Sequence, residues 1–331
     1  MSDGRRVFLT GATGFIGSRL ARRLAARGDS LRCLVRPSSD TTALERLGAE
    51  LVHGELTDAD AIARALEGVD IAFHLAALYD IGVVDRAALE RTNVQGTAAF
   101  LEAVERAGTP RALYVSTTAA LAPVAEGEGD EETEYPPGAR YPTVYHRTKA
   151  EAHRLARDAQ RRGLPLIIVC PANVYGPGDQ GPSARFTRDL LAGRVPGLLA
   201  REGWLSYVHV DDVVEGLCLA ADRGAPGNVY ILSGEHLPIN EFARRVCELA
   251  GRKPPRLRFP VPLARATGAA LDLVARVTGL RFPISRETVD VASHRWVHSH
   301  ARATEELGWT PRPLAEGLPE TVASILREER P

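Results

Sequence analysis

The clearest candidates for proton chemistry are Tyr145 and Lys149, which form the pattern YxxxK. Residues four apart on a helix face the same side, so the Lys149 ammonium can lie near the Tyr145 hydroxyl and favour its phenolate. A tyrosine tuned in this way exchanges a proton with a carbinol or carbonyl while a hydride moves to or from nicotinamide. The pattern also arises on solvated helix faces, and it gains weight from Ser116, Thr117 and Thr118, which end a predicted strand.

A second group with chemical potential is a glycine triplet, Gly11, Gly14 and Gly17, directly after an apolar run. The first glycine permits a tight turn out of a strand, the second lets the backbone approach a pyrophosphate, and the third lets the following helix pack closely. The helix amino terminus then faces the anion. The spacing is GxxGxxG and not GxGxxG, and an ordinary strand-to-helix turn can carry it too. Its place between an apolar strand and a helix, at the start of an alternating strand and helix pattern, favours a dinucleotide site formed by Gly11, Thr13, Gly14, Phe15, Ile16 and Gly17.

The end of the second predicted strand indicates which dinucleotide binds. A carboxylate there would accept hydrogen bonds from an adenosine ribose, but the sequence offers Arg36 and, two residues later, the Ser38 hydroxyl. This favours NADP, with NAD as the alternative. The ordinary role of Arg36 would be that of a solvated surface residue.

These residues need a framework, and strand and helix signals alternate through the first half of the chain. Such alternation predicts an α/β fold with a Rossmann-type doubly wound parallel sheet. The predicted strands are 5–10, 30–36, 50–53, 70–75, 111–117 and 165–170. The predicted helices are 15–27, 58–66, 87–106 and 145–161, followed by 183–191, 210–221, 239–250 and 319–327.

The domain organisation follows from a change of pattern near Pro171, after which prolines multiply. We expect an NADP-binding domain over residues 1–170, to which 206–233 returns. A smaller, mostly helical substrate-binding lobe would comprise 171–205 and 234–331. The segment 124–142 is acidic and rich in Gly and Pro, as a mobile loop beside a site would be.

Composition limits the partners that the protein can have. With 41 basic and 42 acidic residues, the chain has no overall field that would attract nucleic acid or an anionic membrane, although a local basic pocket remains possible. Its four cysteines are far apart and no secretory leader precedes the first strand, which predicts reduced thiols in a cytoplasmic protein.

The segment 261–278 is the nearest approach to a membrane span, but Arg265, Asp272 and Arg276 interrupt it. These charges fall on one helical face and leave the opposite face apolar. We expect the apolar face to pack on the protein's own core, with a helix lying on a membrane surface as the alternative.

At this point the sequence resembles a known family, the extended short-chain dehydrogenases/reductases, which include sugar epimerases and dehydratases. The resemblance runs from Gly11 to Trp309 and rests on several motifs in order. These are GATGFIG at 11–17, HLAA at 74–77, NVQGT at 93–97, STT at 116–118, YxxxK at 145–149, PANVYGPGD at 171–179, YVHVDD at 207–212 and ELGW at 306–309.

The resemblance implies roles for individual residues. Thr118 matches the catalytic Ser or Thr that holds the substrate oxygen, and Thr117 is its nearest alternative. Tyr145 matches the general acid or base, Lys149 matches the residue that lowers its pKa, and Asn93 supports the site. Further cofactor contacts are implied at Arg36, Glu55, Leu56, Leu75, Ala76, Ala77, Pro171, Asn173 and Val174, besides Tyr145 and Lys149. The family also implies a homodimer formed through the helix 145–161.

Two departures from the sugar-nucleotide members bear on the substrate. Those members often carry Arg at the positions of Cys170 and Leu205, and without these arginines the case for a substrate diphosphate is weaker. The carboxy-terminal half instead resembles the dihydroflavonol reductase and 3β-hydroxysteroid dehydrogenase branch and a hopanoid-associated, epimerase-like group. Residues that could still bind phosphate are Arg201, Arg256 and Arg258.

The sequence therefore predicts an NADP-dependent oxidoreductase that interconverts a secondary alcohol and a ketone on a small, largely apolar substrate. One alternative is a sugar-nucleotide epimerase or dehydratase without net redox change. Another is a catalytically silent cofactor-binding regulatory protein. We expect no metal, because His294, His298 and His300 lack a carboxylate or Cys that would complete a ligand set.

Overall fold

The computed structural model describes residues 4–201 and 203–328, so the outermost positions of both predicted domains lie outside it. Seven parallel strands form the main sheet in the order β10-β6-β5-β4-β1-β2-β3. These strands are β1 Arg6–Thr10, β2 Ser30–Val35, β3 Glu50–His53, β4 Ile71–His74, β5 Ala112–Val115, β6 Leu166–Pro171 and β10 Val229–Leu232. This confirms the Rossmann-type doubly wound sheet.

Helices cover both faces of this sheet and bury its apolar strands. On one face pack α1 (Phe15–Ala26) and α8 (Val210–Arg223), and Trp309 is fully buried beside them. On the other face pack α3 (Ala59–Ala65), α5 (Gly96–Ala107) and α6 (Val144–Arg161). Two short helices, α2 (Thr42–Arg46) and α4 (Arg86–Leu89), complete this half of the chain.

The predicted helix 87–106 is interrupted in the structure by a π-helical segment, Glu90–Gln95. The π turn rotates the following residues relative to those of a regular helix. It lies where Asn93 points into the protein, and α5 continues directly after it.

The remaining part of the chain contains short strands as well as helices. A four-stranded sheet joins β7 (Asn173–Tyr175), β9 (Trp204–His209), β11 (Glu235–Pro238) and β13 (Arg295–Trp296), while β8 (Gly197–Leu199) pairs with β12 (Leu257–Phe259). Residues 206–209 therefore belong to the smaller sheet, because β9 pairs with β7 and β11, whereas α8 packs on the main sheet and 229–232 form its strand β10. The division into cofactor and substrate lobes stays a prediction. The helices here are α7 (Pro182–Leu191), α9 (Ile239–Leu249), α10 (Val261–Thr278), α11 (Arg286–Ala292) and α12 (Leu314–Glu328).

The expectation that α10 packs its apolar face on the core is wrong. Its buried residues are the small Ala264 and Gly268, and a Cβ on Gly268 would lie 2.6 Å from the Ser285 carbonyl carbon. Small residues allow this close approach to the start of α11, and they turn the larger side chains outward. Leu273 and Val277 are 66% and 82% exposed.

Candidate functional site

The glycine turn between β1 and α1 is shaped by two close approaches. Gly11 has φ +72°, and a Cβ there would lie 2.7 Å from the Ala76 nitrogen. A Cβ on Gly17 would lie 2.1 Å from the Gly11 carbonyl oxygen. Gly14 is exposed, caps α1 without a side-chain hydrogen bond and leaves the first-turn amides available to an anion. Thr13 is exposed beside it, and Phe15 and Ile16 are half-buried in the first turn of α1.

The predicted phosphate-binding arginine lies at the end of β2. Arg36 is exposed, and its guanidinium makes no hydrogen bond or ion pair with the residues described here. Glu55 is also exposed, while Leu56 is half-buried against Gly96 of α5. The carboxyl ends of β1 and β2 thus place an exposed cation and a helix start without a side-chain cap on one edge of the sheet, an arrangement that can hold the phosphates of a dinucleotide.

A buried polar chain fixes the end of β4, and sequence reasoning did not assign it. The Thr10 hydroxyl lies 2.7 Å from His74 Nδ1, and Thr97 lies 3.1 Å from His74 Nε2. The Ala76 amide also donates to the Thr10 hydroxyl. Burial, together with the charge of Lys149, lowers the pKa of His74 to about 3, so the imidazole is neutral. The backbone at Leu75, Ala76 and Ala77, which are predicted to contact the cofactor, therefore leaves the sheet in a fixed direction. Leu75 and Ala76 are half-buried, and Ala77 is exposed.

Asn93 holds the loop that follows β4. Its Oδ1 accepts from the Leu78 amide at 2.8 Å, and its Nδ2 donates to the Leu78 carbonyl at 3.0 Å. The same nitrogen donates to the Thr148 hydroxyl, which belongs to α6. The side chain thus joins the loop to the helix that carries Tyr145, as the predicted supporting role requires.

Tyr145 stands in the first turn of α6, where the Thr143 side chain caps the helix by accepting from the His146 amide. Its side chain is almost completely buried, and its ring packs against that of Tyr79 at 4.6 Å between centroids. Burial raises the pKa of Tyr145 above its ordinary value, the neighbouring Tyr79 raises it further, and a hydrogen bond with Thr117 acts in the opposite direction. Tyr145 therefore carries its proton at neutral pH.

Lys149 is buried below the same helix face. Its ammonium donates to the Tyr114 hydroxyl at 3.1 Å and to the Val115 carbonyl at 3.2 Å, and it lies over the Tyr114 ring. The helical spacing predicts that Lys149 favours the phenolate of Tyr145, but in this structure the pKa of that tyrosine is raised. The reason is that burial is the largest influence on the phenol, while the ammonium is held by the end of β5.

The structure brings Thr117 to Tyr145. Thr117 is half-exposed and caps a short 3-10 turn, Thr118–Ala120, in which Thr118 is buried. The assignment of the substrate-binding hydroxyl to Thr118 stays a prediction, and its alternative, Thr117, is the residue that hydrogen-bonds with Tyr145.

The segment 171–174 completes the surroundings of α6. Pro171 ends β6 and is buried, whereas Asn173 and Val174 are half-buried in β7. The Asn173 Oδ1 accepts from the Ser183 hydroxyl at 2.5 Å. A carboxamide placed here would therefore find an ordered amide side chain.

Charged groups near Tyr79 are already paired. Asp80 accepts from Arg185 at 2.5 Å and from Arg281 at 3.3 Å. Cys170, where sugar-nucleotide relatives often carry Arg, is fully buried beside His153. Arg201, Arg256 and Arg258 are exposed.

The histidines considered for a metal have other roles. His298 is buried and lies 3.1 Å from the Ala122 carbonyl, and His294 contacts the Asp290 carbonyl. Within 4–201 and 203–328, no cluster of three His, Cys, Asp or Glu side chains has the geometry of a metal site. Over the same residues, none of the helices combines the length and apolarity needed to cross a bilayer.

Comparison with known proteins gives consistent matches over the chain. A profile of the NAD dependent epimerase/dehydratase family matches residues 7–233. Sterol demethylase protein B of Methylococcus capsulatus is 34% identical over 326 residues, which is 95% of this chain and 96% of the relative. A 3 beta-hydroxysteroid dehydrogenase/Delta 5-->4-isomerase of Mycobacterium tuberculosis is 34% identical over 78% of this chain and 73% of its own. The crystal structure of a dTDP-glucose 4,6-dehydratase double mutant from Streptomyces venezuelae, with NAD bound, has a TM-score of 0.78 at 26% identity and covers 98% of both chains.

Proposed function

The chain belongs to the NAD-dependent epimerase/dehydratase family, and we propose that it is an NADP-dependent oxidoreductase that interconverts a secondary alcohol and a ketone. The observation that carries the proposal is the buried Tyr145 at the start of α6, packed on the Tyr79 ring and one helical turn before the buried Lys149. A protonated phenol can donate its proton to a carbonyl oxygen, and because burial makes Tyr145 a weaker acid, we propose that a nearby positive charge must favour its phenolate as the proton leaves.

The residues present fit NADP for two reasons. A side chain at Gly11 or Gly17 would disturb the turn 11–17, which we call the cofactor cradle, and the Arg36 guanidinium at the end of β2 has no ion-pair partner among the described residues. The main chain at 11–17 would hold the pyrophosphate, Arg36 the ribose phosphate, and Asn173 the carboxamide. When bound, the cofactor supplies the hydride or accepts it.

The chain's own contribution to ketone reduction is proton transfer and orientation. The Tyr145 O–H bond breaks and its proton joins the carbonyl oxygen as hydride reaches the carbonyl carbon, which leaves the alcohol and a phenolate. Thr117 orients that oxygen by hydrogen bonding. Lys149 is held by the Tyr114 hydroxyl and the Val115 carbonyl, one helical turn after Tyr145, and we assign its positive charge the role of stabilising the phenolate once the proton has left.

The substrate we propose is largely apolar and cyclic. The Tyr79 ring next to Tyr145 offers an aromatic surface, and Arg185 is occupied by Asp80 and so is not free for a diphosphate. Two of the relatives are named for sterols or steroids, which supports the same substrate class. We further propose a cytoplasmic homodimer formed through α6, because the four cysteines are free and the family resemblance implies this helix.

The proposal is tested by NADPH oxidation against aromatic, flavonoid-like and steroid-like ketones, with NADH in parallel. Tyr145→Phe should lower kcat by about 100-fold or more because the proton donor is removed. Tyr135→Phe is the matched control, since Tyr135 is also buried and its hydroxyl has no partner among the described residues. Full activity of Tyr145→Phe would refute the mechanism. No oxidation with any ketone, despite cofactor binding, would favour redox-neutral epimerisation.

A further inference from the structure

The helix α10 packs on the protein through small residues and leaves its larger apolar side chains outside. Two of its charged side chains contact neighbouring groups: Arg265 pairs with Asp290 at 2.6 Å and Asp272 accepts from the Arg286 amide at 3.1 Å. Its apolar side faces solvent. We call this side the outer stripe, and it consists of Leu263, Ala266, Ala270, Leu273, Val274 and Val277, all exposed.

The outer stripe extends along the whole helix. Eighteen residues at 1.5 Å each give a length of about 27 Å. The side chains of Leu263, Leu273 and Val277 are 56%, 66% and 82% exposed, so most of their apolar surface is not covered by the described part of the chain. Contiguous exposed apolar surface of this kind marks an interaction site.

Both ends of the outer stripe are basic. Before the helix come Arg252, Lys253, Arg256 and Arg258, and at its end stand Arg276 and Arg281, all exposed; we call these six the basic collar. Between residues 249 and 271 the chain contains no Asp or Glu. Arg281 reaches Asp80, and the other five collar residues form no ion pair within the described residues.

The charges of the basic collar distinguish between two possible partners of the outer stripe, a second copy of this chain and an anionic lipid surface. A second copy packed antiparallel would place 252–258 of one chain against Arg276 and Arg281 of the other. A parallel copy would place the segment 252–258 against itself. Both arrangements oppose cations to cations, which disfavours association. An anionic lipid surface complements the same pattern, because the apolar side chains enter the acyl boundary and the cations meet the phosphates.

We propose that the outer stripe and the basic collar dock this protein on the surface of an anionic bilayer. The docking surface lies close to the candidate active site. Glu287 of α11, the helix against which α10 packs, accepts from the Gly82 amide at 2.9 Å and from the Val144 amide at 3.4 Å. Val144 precedes Tyr145, so a single helix separates the lipid surface from the proton donor.

The test is flotation of the full chain with vesicles of phosphatidylcholine alone and of phosphatidylcholine with phosphatidylglycerol. We expect binding to the anionic vesicles that weakens as salt is added. The double variant Leu273→Glu/Val277→Glu should need at least about tenfold more lipid for half-binding, because two inserted apolar side chains become charged. Both side chains are exposed in the free protein, so the variant should fold.

Two further variants separate the contributions. Lys253→Gln/Arg256→Gln should bind anionic vesicles more weakly but leave the low affinity for phosphatidylcholine unchanged. Leu249→Glu is the matched control, because this leucine is 46% exposed on α9 and lies outside the stripe. It should float like the parent protein.

Three outcomes would overturn the proposal. They are no flotation of the parent protein, unchanged flotation of Leu273→Glu/Val277→Glu, or a dimer by sedimentation that this variant abolishes while vesicles do not bind. The readout needs no substrate, so its failure is distinct from failure of the proposed oxidoreductase activity.

A consequence for the substrate rests on the proposed function. If apolar ketones reach the site from the lipid surface, Leu273→Glu/Val277→Glu should raise KM for a vesicle-borne steroid-like ketone severalfold. Its kcat and its KM for a small water-soluble ketone should stay unchanged, and a rise in both KM values would contradict delivery from lipid.

Discussion

Substitution of Gly17 by alanine tests whether close packing of α1 on the turn holds the cofactor cradle. The added Cβ would lie 2.1 Å from the Gly11 carbonyl oxygen, and real Cβ atoms essentially never come within 3.0 Å of such an atom. The start of α1 must therefore move away from the turn by roughly 1 Å, and the buried side chains on the inner face of this helix resist that movement. A misplacement of about 1 Å lowers a rate by about 100-fold, and we expect this loss in kcat/KM for NADPH. Overpacking should also reduce the free energy of unfolding by about 1–3 kcal/mol.

Gly14→Ala provides the comparison within the same turn. Gly14 has φ −80°, which alanine adopts freely, and its Cβ would lie 3.2 Å from the Gly11 oxygen. The free protein should keep its thermal midpoint, but NADPH should bind more weakly because the methyl group lies where a pyrophosphate would approach. Arg22→Ala, on the exposed side of α1, should change neither property.

The measurements are thermal unfolding of the free protein and NADPH titration followed by fluorescence. We expect Gly17→Ala to lower both the thermal stability of the free protein and its affinity for NADPH, and Gly14→Ala to lower the affinity for NADPH alone. NADPH affinity equal to that of the parent protein in both variants would show that this turn is not the dinucleotide site.

The remaining predictions concern the hydroxyls, the cofactor and pH. Thr117→Ala should lower kcat for ketone reduction by about 100-fold and Thr118→Ala by much less, and the opposite order would return the role to Thr118. Arg36→Gln should raise KM for NADPH by about tenfold and leave that for NADH unchanged, while Arg46→Gln, a neighbouring exposed arginine, should alter neither. Burial lowers the pKa of His74 to about 3, so stability should be lost as pH falls below about 6.5, where the unfolded imidazole gains a proton. The free energy of unfolding should therefore fall less between pH 7 and pH 5 in His74→Gln, by about 2 kcal/mol over the whole interval, and an unchanged pH dependence would exclude this coupling.

The first half of the fold was predictable because buried parallel strands form continuous apolar runs that are separated by helical periods. Val7, Leu9 and Phe73 are completely buried in such runs. The shorter strands of the second half escaped prediction because β7 and β8 span only three residues each, too few to show a period.

Two details of the site and its surroundings could not be derived from spacing. Neighbouring hydroxyls at 117 and 118 have the same chemistry, and only the structure shows that Thr117 caps a 3-10 turn and stays half-exposed while Thr118 is buried. The hydrophobic pattern of α10 does not determine its orientation. The size of Ala264 and Gly268 decides which face approaches α11.

The loop after β4 is anchored on both sides of Tyr79, by Asn93 at Leu78 and by Glu287 at Gly82. Only the three residues 79–81 lie between these fixed points. Exchange of this short stretch would therefore alter the wall of the proposed substrate site while α6 keeps its position. It is the natural place to graft sequences from relatives when a different ketone is to be accepted.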